Sequence, residues 1–340
     1  MSFRPFRFVC TFADRLIAFQ KSLSLLLLAL NLSVVKADED GLSTVQNLVI
    51  PQFNEDGHLS WELHASQVKA KGQDIFITSD PILYLYTTQT LELTARSVTG
   101  EFFLETEQAR GTSLLAVVGN GFSANGHDWR WNSFSAKGRN QMIFKRNSKV
   151  VFTSGLGDFF VDDLAEKNSI CDLDQKEEGH STRKSPTIPT VALGNYLELI
   201  SKEESSHLFL LEGNVSIEGD NLFLTCEKVE VLFHKDGNTT NTEIGSISQM
   251  DAGGNVVLKQ GARTSYAENM ALDVKLGTVL LTGQARVVDD EWGEARGERI
   301  ILEKGNRRAR VLGNESVRPR LELPALPDFG FRKKAKKKTQ

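Results

Sequence analysis

The chain has 340 residues, of which 25% are charged and 40% apolar, with a formal net charge of −4. That is the balance of a water-compatible protein long enough for about two domains, and it excludes a general nucleic-acid binder, which needs a basic surface. Six scattered histidines and three cysteines, with no CxxC and no metal-type spacing, exclude a zinc-organised fold.

At the N-terminus, Arg4, Arg7, Arg15 and Lys21 precede the apolar run Leu23 to Val35, which leads into Lys36-Ala37 and the acidic Asp38-Glu39-Asp40. A basic start, a short apolar run and Val35-x-Ala37 read as a secretory signal over 1–37. The alternative is an uncleaved anchor; the run is short for a bilayer, and extending it back to Leu16 buries Lys21.

Residues 45–157 read as a first β domain. Phe53-Asn-Glu-Asp-Gly57 is a turn between two strands, the second being Leu59-Ser-Trp61-Glu-Leu63-His-Ala65. Ile75-Phe-Ile77, Leu83-Tyr-Leu85 and Leu91-Glu-Leu93-Thr-Ala95 follow at short intervals, as in a sandwich, barrel or roll. Trp129-Arg-Trp131 places two indoles on one strand face, where an aromatic ladder is the expected use. Residues 158–190 are polar and turn-rich, too poor in large apolar residues to fold alone, and read as a linker or long loop.

The second domain, 191–316, repeats itself. Gly213-Asn-Val-Ser-Ile217 opens a unit that continues through Leu222-Phe-Leu224-Thr-Cys226 and Val229-Glu-Val231-Leu-Phe233. Gly254-Asn-Val256-Val-Leu258 opens the next, so that Val229, Val231 and Phe233 align with Met270, Leu272 and Val274. A looser copy begins at Gly283. Alternation of apolar and polar residues marks strands with one greasy face, and the repeat marks a stacked β architecture. By parity the inward face holds Ile217, Leu222, Leu224, Val229, Val231, Phe233, Val256, Leu258, Met270, Leu272, Val274, Leu281 and Val287. Cys226 falls in the same alternation, as a small buried hydrophobe; pairing with Cys171 in an oxidising compartment stays open.

This run of Gly-Asn-Val, alternating strand, charged-Ala, alternating strand and Leu-Thr-Gly, over about Tyr196 to Gly313, resembles the LptA/OstA-like family of periplasmic lipopolysaccharide-transport domains. The first domain, with its Phe, acidic-Gly turn and Leu-x-Ala strand, resembles the LptC family in pattern. The resemblance implies two antiparallel β-jellyrolls of the β-taco type in tandem, in the periplasm. It also implies a greasy groove, lined by the inward residues above, that shields lipid A acyl chains on a bridge from inner to outer membrane. Partners would be lipopolysaccharide and other domains of the same kind, docked by strand addition at exposed sheet edges.

No enzyme or cofactor is expected. Asp289-Asp-Glu291 falls where the third repeat needs its turn, and Gly155-Leu-Gly157 lacks the third glycine and helix of a dinucleotide loop. The tail 317–340 ends in Arg332-Lys-Lys334-Ala-Lys336-Lys-Lys338, which suits contact with an anionic lipid surface or plain solubility. The competing overall expectation is a structural β-solenoid of the envelope, with a closed dry core and no cargo.

Overall fold

A computed structural model describes residues 36–37, 43–71, 74–87, 90–134, 139–154, 156, 188–202, 206–234, 245–290, 293–304, 309–316 and 318–323. The expected signal apart from its last two residues, Lys36 and Ala37, together with Cys171, nearly all of the expected linker and the basic tail from 324 onward, lies outside the described residues. The described residues are all-β and contain no α-helix.

In chain order the first strands are β1 Lys36–Ala37, β2 Ser43–Phe53, β3 Leu59–Lys71, β4 Ile75–Ser79, β5 Ile82–Thr87, β6 Thr90–Ser97 and β7 Thr99–Phe103. Then come β8 Gln108–Gly111, β9 Leu115–Gly119, β10 Phe122–Phe134, β11 Arg139–Phe152, β12 Thr190–Gly194, β13 Tyr196–Ser201 and β14 Ser206–Gly219. The last are β15 Leu222–His234, β16 Ser246–Gln260, β17 Arg263–Asp273, β18 Thr278–Asp289, β19 Gly293–Glu303, β20 Ala309–Leu312 and β21 Arg320–Glu322. The expected Asn54–Gly57 turn is present: the Asn54 side chain accepts the His58 amide at 2.8 Å, and Gly57 takes φ +78.

From β14 to β19 each strand pairs antiparallel with the next, and each pair slips register in the middle, as at Glu212/Val215, Gly253/Val256 and Thr282/Ala285; β15 and β16 slip a second time, at Leu232/Phe233. These slips are β-bulges, which bend and twist a strand. They correct one detail of the repeat. Gly213-Asn214 and Gly254-Asn255 do not open strands but lie inside β14 and β16, and Gly283-Gln284 lies inside β18. At each pair both residues have positive φ, between 48 and 80, a backbone state that glycine and asparagine tolerate best. Space demands glycine too: a Cβ on Gly254 would stand 2.7 Å from the Glu227 Cβ, and one on Gly283 2.7 Å from the Glu268 Cβ.

The aligned bends divide the sheet into two walls. One wall holds β4, β7, β8, β13 and the segments 206–212, 228–234, 246–253 and 269–273; the other holds β5, β6, β9, β12 and the segments 215–219, 222–226 and 256–260. The walls face each other, because rings from one touch rings from the other. Trp61, paired with β5, meets Trp131, paired with β8, edge-on at 5.5 Å. Phe122 meets Phe209 at 4.8 Å.

The ladder does not stop between the halves. β11 pairs with β10 on one side and with both β12 and β13 on the other. One hydrophobic core therefore runs from Trp61 to Leu302.

Candidate functional site

The interior of the second half is built by strand parity. Along β15 the buried residues are Leu222, Leu224 and Cys226; the bulge resets the count, and Val229, Val231 and Phe233 take over. Every expected inward residue is buried except Val274, which is half-buried at the end of β17 and packs against the core from outside it. Val274 sits where the chain enters its turn, with its amide donating to the Ser248 carbonyl at 3.0 Å, so the alternation ends one residue too early to carry it inside.

Other members of this interior were legible by the same rule. Phe209 and Leu211 of Leu208-Phe-Leu-Leu211, and Ile300 and Leu302 of Ile300-Ile-Leu302, are fully or nearly fully buried. Ile247 and Met250 were not legible, since a register slip at Leu232/Phe233 spaces them by three residues. Cys226 is a buried free thiol, its pKa pushed up to about 11 chiefly by burial. That makes it a packing residue rather than a nucleophile.

Burial on this scale stabilises each aliphatic side chain by roughly 1.5–3 kcal/mol. The walls meet through side chains, so an apolar guest in the second half would have to part them or lie at an open margin. On the outer face, the bend leaves a concavity of about 310 Å³ over Lys228, Glu230, Asp251, Ala271 and Leu280. Glu230 and Asp251 are direct cross-strand neighbours there. Burial, then the Glu230 charge, raises the Asp251 pKa.

Where the halves meet, one ionisable pair is enclosed. A bulge at Leu85/Tyr86 leaves Glu92 as the extra residue of β6. Its carboxyl lies 3.4 Å from His207 Nε2, and both side chains are 6% exposed. Ser201 Oγ stands 3.5 Å from His207 Nδ1, and Phe122 packs edge-on against the imidazole at 5.0 Å. Burial pulls the His207 pKa down to about 4 and raises that of Glu92, against hydrogen bonds from Thr87 and Ser201. A serine, histidine and carboxylate in contact suggest acyl-transfer chemistry, but a nucleophile needs an approach for substrate, and this hydroxyl is buried.

Trp129 and Trp131 both point inward, at 3% and 1% exposure. The Trp131 indole donates to Asn140 Oδ1 at 3.3 Å. Asp289, the first of the three acidic residues near the third repeat, ends β18 and is ion-paired with Arg263 at 3.3 Å.

No curated protein matches the chain. Among solved structures, LptH of Pseudomonas aeruginosa, described as the LptA-homologous periplasmic component of the lipopolysaccharide transport device, matches at 18% identity and TM-score 0.28, covering 35% of this chain and 85% of that one. The family described as LptA/(LptD N-terminal domain) LPS transport protein matches residues 200–308, the stretch from the end of β13 to just past β19. The repeated bent strands at 200–308 are an LptA/OstA-like domain.

Proposed function

We propose that the chain is a non-enzymatic component of lipopolysaccharide transport in the periplasm, organised as an LptC-like first half and an LptA/OstA-like second half. In this reading the inward residues of the second half shield lipid A acyl chains. The observation that carries it is the unbroken ladder through β11, which aligns the two interiors end to end as a handover between neighbouring grooves requires. The family match over 200–308 gives the cargo its chemistry.

Partial burial suits a carrier. Each enclosed methylene is worth roughly 0.8 kcal/mol, so fully enclosing several acyl chains would make a complex that could not release them. The remaining sheet edges supply docking. Among the described residues, Gln46–Phe53 of β2 pairs only with β3, and β20 and β21 pair only with β19. Val49 and Phe53 at one end, and Leu312 and Leu321 at the other, are exposed apolar residues beside these edges, where strand addition by another such domain would cover them.

A second reading, a cargo-free envelope scaffold, is favoured by one observation: aromatic rings of the two walls already touch, as Phe122 does Phe209 at 4.8 Å. Purification of the full chain from a lipopolysaccharide-producing host separates the two. Hydroxylated acyl chains recovered with the protein, in constant ratio to it, support the carrier. None recovered, and none taken up when lipopolysaccharide is added, supports the scaffold.

A further inference from the structure

The outer face of the wall that holds β4, β7, β8 and β13 carries a charge pattern that neither the interior nor the sheet edges explain. Strand parity turns Glu198 of β13 outward, and its cross-strand neighbours extend one row to either side. One strand away stand Ile143 of β11 on one side and Leu210 of β14 on the other. Two strands away stand Arg130 and Glu230, and three strands away Arg110 and Asp251. The row is therefore antisymmetric about β13: apolar answers apolar, and two cations answer two anions at matching distances. The corner of the bend repeats this. There β11 carries Lys145 and Arg146 where β14 carries Glu212, and β10 carries Asp128 where β15 carries Lys228.

Within one chain the arrangement is unfavourable. Arg110 and Arg130 are direct neighbours, as are Glu230 and Asp251, and like charges so placed repel. Glu101 answers Arg110 at 2.6 Å, and Lys228 answers Glu230 at 3.0 Å. Among the described residues no ion pair reaches Arg130 or Asp251, and both are exposed. The concavity of about 310 Å³ over Glu230, Asp251, Ala271 and Leu280 lies on the anionic side, open to the end of an arginine side chain from outside.

We propose that this face pairs with the same face of a second copy, turned about a two-fold axis that lies along β13. Arg130 then meets Glu230 and Arg110 meets Asp251, each contact formed twice, with Ile143 packed on Leu210 between them. An isologous contact needs a surface complementary to itself under the two-fold, and a row antisymmetric in charge about one strand is such a surface. The two sides match because one strand spacing, about 4.8 Å, sets both. Six spacings by three outward positions give roughly 600 Å² per copy, at the small end of specific interfaces, so the pair is weak and reversible. Glu198 lies on the axis, its carboxylate accepting from Gln141 at 2.6 Å and from Tyr196 at 3.1 Å. Facing its own copy there, it limits the affinity. The edges at β2, β20 and β21 stay outside the contact, so the pairing neither uses nor blocks strand addition and stands whether or not the interior carries lipid.

Sedimentation velocity of the full chain reads the pairing. A monomer–dimer equilibrium that weakens as salt rises is expected. Arg130→Glu and Glu230→Lys each set like charges against each other across the two-fold and should weaken it at least tenfold. The double variant Arg130→Glu/Glu230→Lys swaps both signs in one chain and should restore the dimer, because each contact takes one residue from each copy. Glu198→Gln keeps the side chain's shape, removes the repulsion on the axis and should tighten the pair about threefold. Circular dichroism and cooperative unfolding establish that each variant is folded. A chain that stays monomeric at every concentration, with Glu198→Gln as well, overturns the proposal. So does a double variant no more associated than either single one. A dimer that Arg130→Glu leaves unchanged overturns it too, and assigns the association to the sheet edges.

Discussion

His207 Nε2 stands 3.4 Å from Glu92 Oε1, and the two residues come from opposite halves of the chain, β14 and β6. Their burial gives a pH dependence with a definite sign. The His207 pKa is lowered from 6.5 to about 4 by burial. The unfolded chain therefore takes up this proton first, and stability falls as pH drops from above 6.5 toward 4, by at most about 3 kcal/mol. The Glu92 pKa is raised, chiefly by burial, so its contribution runs the other way: present at low pH, and lost as pH rises through its folded value. Glu92→Gln removes the opposing term. Urea unfolding between pH 4 and 7 is expected to show a steeper acid loss for Glu92→Gln than for the parent, and the reverse slope for His207→Gln.

Gly254 and Gly57 separate backbone strain from crowding. Both have φ near +80, but a Cβ at 254 meets Glu227 at 2.7 Å while one at 57 meets nothing within 4 Å. Gly57→Ala should cost about 1 kcal/mol, the left-handed penalty alone. Gly254→Ala should cost clearly more, about 2–4 kcal/mol with the clash added. Equal losses in denaturant midpoint would mean that the bulge relaxes freely.

How much of this was visible in the residues varies by region. Leu222, Leu224, Val229 and Val231 obey simple alternation, and the interior they form could be read directly. Gly254-Asn255 looked like a strand start because positive-φ residues usually mark turns; the segment before it, Ser246 to Gly253, is polar and its inward residues are unevenly spaced, so the strand's first half was hidden. The inward turn of Glu92 depends on a bulge in β6, and the β11–β13 pairing joins residues such as Ile143 and Glu198 far apart in sequence. Periodicity carries no information about either.

Adjacent residues on β15 offer a parity test. Leu224 is fully buried and Phe223 is 40% exposed. Leu224→Ala is expected to cost about 2–5 kcal/mol, and Phe223→Ala about 1 kcal/mol or less despite the larger side chain. Thermal or denaturant unfolding measures both, and a larger loss at 223 would invert the assigned faces.

Glu230 and Asp251 face each other across β15 and β16 on the outer wall, and like charges so placed are destabilising. Neutralising one relieves the repulsion. Asp251→Asn should raise stability by roughly 0.2–1 kcal/mol, with the gain shrinking at high salt. A loss instead would assign Asp251 a structural bond on that face.

The carrier reading itself is tested most directly by site-specific photo-crosslinking of the full chain in a lipopolysaccharide-producing host. A photoreactive residue replaces Leu272, which is 3% exposed on the inward face, or its neighbour Ala271, which lines the outer concavity. A lipopolysaccharide adduct at 272 and none at 271 is the expected result. A folded, exported protein that gives no adduct at 272, or equal adducts at both positions, would contradict acyl chains in the interior.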